Sequence, residues 1–233
     1  MLYICYGMPK SASTFAFQLA RDFARTVSSQ EELKARMPED LKHPFLGDMK
    51  ESLRRVSQCI PQYEIYVVKT HAPMSDRLKP MLTQGDVKAF ATFRNPYDIV
   101  VSLKDAGETE RHKEKERQRE WFTNIKTYED ALQHLPPILN AASDWLQRPD
   151  VLKLSFSAIK NQALSVAKQI AAHMGITDLD VDAFVKKYLS KKELIGEYNV
   201  GAEGRGYKEF SLPDHDPVKQ QMDQFIRQYM QDN

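Results

Sequence analysis

Four short apolar runs set the tightest limit on how this chain can fold: residues 2–6 (LYICY), 64–68 (EIYVV), 87–93 (VKAFATF) and 151–156 (VLKLSF). Together they are rich in β-branched and aromatic residues, and each is too short for a helix, so they read as buried strands. The segments between them carry apolar residues at helical spacing. Residues 14–27 put Phe15, Leu19, Phe23 and Val27 on one face. Residues 97–104, 127–146, 158–174, 180–189 and 214–230 read as further helices, with Pro136 and Pro137 interrupting the second of these and Gly175 capping the third. Strands alternating with helices predict an α/β fold: one domain over residues 1–233, with a parallel sheet of four or five strands flanked by helices. Such sheets bind ligands beyond the C-terminal ends of their strands. Three of the four runs end in polar residues suited to phosphate.

The remaining stretches are less regular. Residues 28–62 read as short helices and loops around Pro38 and Pro44, and residues 190–207 as a glycine-bearing loop. The charge run 108–120 (ETERHKEKERQRE) reads as a solvated helix or a mobile excursion. Formal net charge is +1, so no global field draws the chain to nucleic acid or to anionic membranes, and any anion site must be local. No apolar run reaches the roughly 18 residues of a membrane span, and no secretory signal is visible. A strand starting at residue 2 leaves no room for an anchor, so a cytoplasmic protein is expected. Cys5 lies in an apolar run and reads as a core residue rather than half of a disulfide with Cys59.

The first run leads through Gly7, Met8, Pro9, Lys10, Ser11, Ala12 and Ser13 into the helix at Thr14. Backbone N–H groups at such a strand-loop-helix junction bind anions. Measured against the P-loop pattern G-x-x-x-x-G-K-S/T, Gly7 and Thr14 fit, Ala12 replaces the second glycine and Ser13 stands where the lysine belongs. Residues 9–15 (PKSASTF) instead resemble the first motif of the PAPS-dependent sulfotransferases, P-K-S/T-G-S/T-T-W/F, at every position but Ala12. PAPS is 3′-phosphoadenosine-5′-phosphosulfate. The resemblance implies that Lys10 meets the oxygen bridging phosphate and sulfate. It also implies that Pro9, Ser11, Ala12, Ser13 and Thr14 surround the 5′-phosphate and that Phe15 lies near the adenine. A plain loop with Phe15 in the core remains open.

The third run ends in Arg94, Asn95, Pro96, Tyr97 and Asp98, with Ser102 eight residues beyond the arginine. This stretch resembles the family's second motif, R-N/D-P-x-D-x-x-x-S, at every defining position. The resemblance implies that Arg94 and Ser102 hold the 3′-phosphate, and an arginine fork suits a terminal phosphate. Asp98 reads as a first-turn helix residue rather than a catalyst. After the second run, Lys69, Thr70 and His71 are similar to the K-T-H of the family's cytosolic branch. That similarity implies a general base in His71 and charge neutralisation near the donor by Lys69. Residues 201–208 (GAEGRGYK) resemble the family's last motif, R-K-G-x-x-G-x-W-K, only in part. Tyr207 replaces the tryptophan, and Asn199 and Val200 replace the basic pair. Gly201, Gly204, Arg205 and Lys208 are the donor-binding candidates there. Phe156 stands where the family places a tyrosine near the adenine.

The resemblance thus predicts sulfuryl transfer from PAPS, with PAP as product and no metal, to a hydroxyl or amine of a small molecule or glycan. Oligomeric state is left open. Two rivals stay in play. A P-loop phosphotransferase or kinase would want a lysine at position 13 and an acidic strand end, where this chain has Ser13 and Arg94. A catalytically silent nucleotide-binding module of the same fold would have no use for both Lys10 and His71.

Overall fold

The computed structural model describes residues 1–37, 45–46, 59–61, 64–190 and 202–230. Its strands are β1 (Leu2–Gly7), β2 (Phe45–Leu46), β3 (Tyr66–Thr70), β4 (Val87–Phe93) and β5 (Val151–Ser155). They form one parallel sheet in the order β2-β3-β1-β4-β5. The two-residue β2 was not foreseen as a strand; it is an edge partner of β3 at Phe45↔Lys69 and Leu46↔Thr70. Every residue of the central β1 is buried. Its pleat divides the core: Leu2, Ile4 and Tyr6 join one apolar cluster, and Tyr3 and Cys5 join the other.

The helices are α1 (Ser13–Arg25), α2 (Gln30–Arg36), α3 (Leu78–Gln84), α4 (Pro96–Arg111), α5 (Glu120–Thr123), α6 (Tyr128–Leu146), α7 (Phe156–Asn161), α8 (Ala163–Met174), α9 (Val181–Ser190), α10 (Gly206–Glu209) and α11 (Pro217–Tyr229). Phe15, Leu19 and Phe23 of α1 pack with α8 and α9 on one face of the sheet, and α3, α4, α6 and α11 cover the other. Among the described residues no helix is long and apolar enough to cross a membrane. Cys5 is a buried free thiol and Cys59 is also free.

Several boundaries differ from expectation. β3 starts at Tyr66, where it meets Leu2 in register, so Lys69 and Thr70 belong to the strand and His71 is the first residue past it. Helix α1 stops at Arg25, leaving Val27 48% exposed rather than on a buried face. Helix α6 runs unbroken through Pro136 and Pro137. A capping box at Thr127 and Asp130 secures its start, and burial of Leu135, Leu139 and Trp145 outweighs the missing donors and ring clash, a cost of about 3 kcal/mol per interior proline. β5 ends a residue early because the Ser155 hydroxyl accepts from Ala158 N at 3.1 Å and caps α7. A non-helical Gln162 then separates α7 from α8.

The charge run is not a solvated face throughout. Its first residues finish α4, which brings Glu110 inside at 1% exposure. The carboxylate accepts from Arg119 N at 3.0 Å, Arg119 Nε at 2.9 Å and Lys113 Nζ at 2.5 Å. Residues 113–119 are thereby folded back on α4. Burial alone would raise the Glu110 pKa, but the bonds from Arg119 and Lys113 outweigh it and hold the group at about 2. This lowered pKa means that the stabilisation is complete above the ordinary carboxylate value, near pH 4.5, and is lost as pH falls toward 2. Glu110→Gln should therefore lower the melting temperature at pH 7 and flatten its decline between pH 4.5 and 2, read by thermal denaturation across pH.

Candidate active site

The site begins where β1 runs out. A Cβ on Gly7 would lie 2.1 Å from the Cβ of Ser13, so only glycine lets the start of α1 fold back over the strand end. The loop then bends through two non-glycine residues in the left-handed region, Lys10 (φ 65°) and Ala12 (φ 62°). Turns with left-handed residues gather N–H groups into an anion-binding concavity. Ala12 is also the N-cap of α1, and its methyl caps nothing, so the N-cap side chain does not compete for the first-turn N–H groups. Phosphate is the kind of group such a helix start accepts.

Neighbouring strand ends hold this loop in place. Met8 N donates to Thr92 O at 3.0 Å. The Ser11 hydroxyl, fully buried, lies 2.6 Å from Met8 O and 2.7 Å from Thr92 Oγ1. From β3, Lys69 Nζ donates to Thr14 Oγ1 at 3.0 Å. His71 Nδ1 is hydrogen-bonded to the carbonyl of Gly7. A carbonyl only accepts, so Nδ1 carries the hydrogen, and in the neutral ring Nε2 keeps the lone pair a base needs. The peptide after His71 is braced in turn: Trp145 Nε1 donates to Ala72 O at 3.1 Å, with the indole stacked on Tyr6 at 5.1 Å.

Arg94 leaves the end of β4 with its side chain 6% exposed. NH1 donates to Lys10 O at 3.1 Å and NH2 to Ala202 O at 2.6 Å. Both partners are neutral carbonyls, and Nε is buried without a hydrogen-bond partner among the described residues. The guanidinium lies 4.1 Å from the ring centre of Phe156. Burial pushes the Arg94 pKa down, and the neighbouring Asp98 carboxylate opposes that shift. A buried cation satisfied by carbonyls, with a donor to spare, is suited to an anion.

The structure therefore brings Pro9, Lys10, Ala12, Ser13, Thr14, Lys69, His71, Arg94 and Phe156 around one loop, with Ser102 buried on α4. Lys10 Nζ stands 5.7 Å from the ring centre of Phe122. Other candidates go elsewhere. Phe15 is 5% exposed and packs edge-on against Tyr188 in the core, and the Ser11 hydroxyl is turned into the loop's floor. Arg205 is held by Asp105 and Glu209, each at 2.6 Å, while Lys208 is exposed. Gly204 (φ 74°) and Ala202 lie beside Arg94 and Asp98. Gly201, Asn199 and Val200 fall outside the described residues. Sequence reasoning missed the anchors Thr92 and Trp145; the polar end of an otherwise apolar run, FATF, was the available signal for Thr92. Among the described residues no cluster of His, Cys, Asp or Glu is placed to hold a metal ion.

A family model described as a sulfotransferase domain matches residues 3–198. No curated protein sequence matches the chain. Retinol dehydratase in complex with androsterone and the inactive cofactor PAP is similar over 100% of this chain and 81% of its own, at 16% identity and a TM-score of 0.54. The same enzyme with retinol and PAP gives 15% and 0.55. A mouse sulfotransferase complexed with PAP gives 16% and 0.53, with 85% of its chain covered. At these identities the structures speak to the fold.

The backbone at position 12 generates a prediction. Ala12→Gly relieves a left-handed alanine, which costs about 1–2 kcal/mol, against about 0.4–1 kcal/mol of extra chain entropy in the unfolded state. The variant should melt at the same temperature as the parent or slightly higher. Gly7→Ala, whose new methyl meets Ser13, should melt well below it in the same denaturation series.

Proposed function

The chain belongs to the sulfotransferase domain family, and from that premise we propose that it moves the sulfuryl group of PAPS to a hydroxyl or amine of a small-molecule or glycan acceptor. Sulfuryl transfer in general follows from the family. The donor, the acceptor class and the residue roles are part of the proposal. The observation that carries it is Arg94: a buried guanidinium that, among the described residues, donates to carbonyls and keeps an unpaired Nε, beside a helix start without a side-chain cap from those residues. Two anion sites side by side match a nucleotide with both a 5′-phosphosulfate and a 3′-phosphate. The loop and first-turn N–H groups of α1, with Ser13 and Thr14, take the 5′-phosphate, and Arg94 and Ser102 take the 3′-phosphate. Ser11, engaged with Thr92, supports the loop from beneath.

In this reading the acceptor oxygen attacks sulfur while His71 Nε2 takes its proton. The bond from sulfur to the bridging oxygen breaks, and the electron pair leaves on the phosphate of PAP. Lys10 stabilises the charge that gathers on that oxygen, the electrostatic help that usually dominates such transfers. Lys69, bonded to Thr14, adds positive charge on the other flank. The phosphotransferase alternative finds no lysine at position 13 and an arginine at the end of β4. Binding of PAPS against ATP, with and without Mg²⁺, separates the two.

The roles make unequal demands on substitutions. Arg94→Ala should weaken PAPS by about ten- to a hundredfold, the value of a charge-assisted hydrogen bond, while adenosine-5′-phosphosulfate, lacking the 3′-phosphate, changes far less in the same titration. Lys10→Ala should slow transfer to every acceptor. His71→Ala should cost about 10²–10⁴-fold in rate with an alcohol and much less with a phenol already ionised at the assay pH. A His71→Ala defect that stays constant across phenols of falling pKa would remove the base assignment.

A further inference from the structure

Arg205 and Lys208 were candidates for binding the donor, and the geometry of the segment 202–206 points to a different contribution. Arg205, the basic residue within it, is bonded to two carboxylates, so its charge is balanced locally. What the segment presents to Arg94 is a backbone carbonyl, that of Ala202. The question is then what holds that carbonyl in place. Asp98, in the first turn of α4, is 3% exposed and spends both carboxylate oxygens on this backbone. Oδ2 accepts from Gly204 N at 2.9 Å and Oδ1 from Gly206 N at 3.0 Å. The backbone lies so close to α4 that a Cβ on Gly206 would meet the Tyr97 main chain at 2.3 Å. Tyr207 stacks on Tyr97 at 4.5 Å and closes the contact.

We infer that Asp98 is a positioning residue of the donor site: by holding Gly204 and Gly206 it fixes the Ala202 carbonyl that aims Arg94. This rests on the donor reading above. Arg94 and Asp98 lie on either side of Pro96, so one strand-to-helix junction supplies both the cation and the anchor for the loop that orients it. Without Asp98, two amides lose their acceptor, residues 202–206 lose their register on α4, and NH2 of Arg94 loses a fixed partner. The guanidinium remains charged but loses one of the two carbonyls that orient it, so the loss falls on recognition of the phosphate that Arg94 meets. Arg94 NH1 keeps the Lys10 carbonyl and His71 keeps that of Gly7, so the chemical step set by Lys10 and His71 is spared.

The test uses the full chain and two probes, PAP and 5′-AMP, which differ in the 3′-phosphate, with affinities read by calorimetry. The parent should bind PAP more tightly than 5′-AMP. Asp98→Ala should lose about tenfold for PAP, the worth of a charge-assisted hydrogen bond, and less than about twofold for 5′-AMP. At saturating PAPS its kcat should stay within about threefold of the parent, with the loss in KM. Gly206→Ala, which displaces the same backbone without touching a charge, should show the same pattern and covers the case in which Asp98→Ala fails to fold. The double variant should be no weaker than either single one, because both break the same link. Equal losses for PAP and 5′-AMP, or a fall in kcat at unchanged affinity, overturn the inference while leaving the donor reading intact. A parent that does not prefer PAP overturns the donor reading, and the inference with it.

Discussion

Residues 7–14 cannot hold their shape alone. Lys10 and Ala12 both sit in the left-handed region, at about 1–2 kcal/mol each for a residue with a Cβ. That strain persists because other strand ends grip the loop: Thr92 through Met8 and Ser11, Arg94 through the Lys10 carbonyl, His71 through the Gly7 carbonyl and Lys69 through Thr14. The same bonds orient the groups that make them. His71 acquires its tautomer, Arg94 its aim and Lys69 its reach from holding one strained backbone. Loop shape and side-chain geometry are therefore one property, and the parallel sheet creates it by ending β1, β3 and β4 side by side.

Charge at Arg94 is managed by burial and by backbone dipoles. Arg94 is satisfied by carbonyls and stacked on Phe156, which leaves its positive charge available in a region of low dielectric. Asp98 is buried nearby, yet its oxygens are turned to the amides of Gly204 and Gly206, not to the guanidinium. A direct pair between the two would have cancelled the field an anionic ligand needs. Arg205, by contrast, is fully engaged by Asp105 and Glu209 and acts as a strut.

The charged excursion after α4 is tied into the same architecture. Glu110 anchors Arg119 from inside, and Arg119 lies 4.6 Å from the ring centre of Phe122. Lys10 stands near the same ring, so Arg119, from a run that reads as solvated, shares an aromatic neighbour with the first loop. Gly107 permits this: a Cβ there would meet the carbonyl of Ile125 at 2.0 Å, so α4 and residues 122–125 pack backbone to backbone.

Local patterns alone determined a good deal. The apolar runs placed β1, β4 and β5 to within a residue, because most positions of these strands are buried between helix layers. The loop and the Arg94 to Ser102 spacing named the residues proposed for the donor site, since each motif is a contiguous stretch whose chemistry does not depend on distant partners. Whatever depended on long-range packing was decided by tertiary structure. Sequence could not show that α6 passes through Pro136 and Pro137, because burial of its other residues outweighs the local cost. Glu110 likewise gave no sign of its buried role, since a glutamate in a charge run looks the same whether or not Arg119 folds back on it. Phe15 was open between adenine and core, and only the arrival of Tyr188 from α9 shows how far its ring is buried. Asp98 carried its meaning across 106 residues to Gly204, and no local window contains both ends of that bond. Short-range preferences fix which residues can form an element; contacts between residues far apart in the chain fix what those residues face.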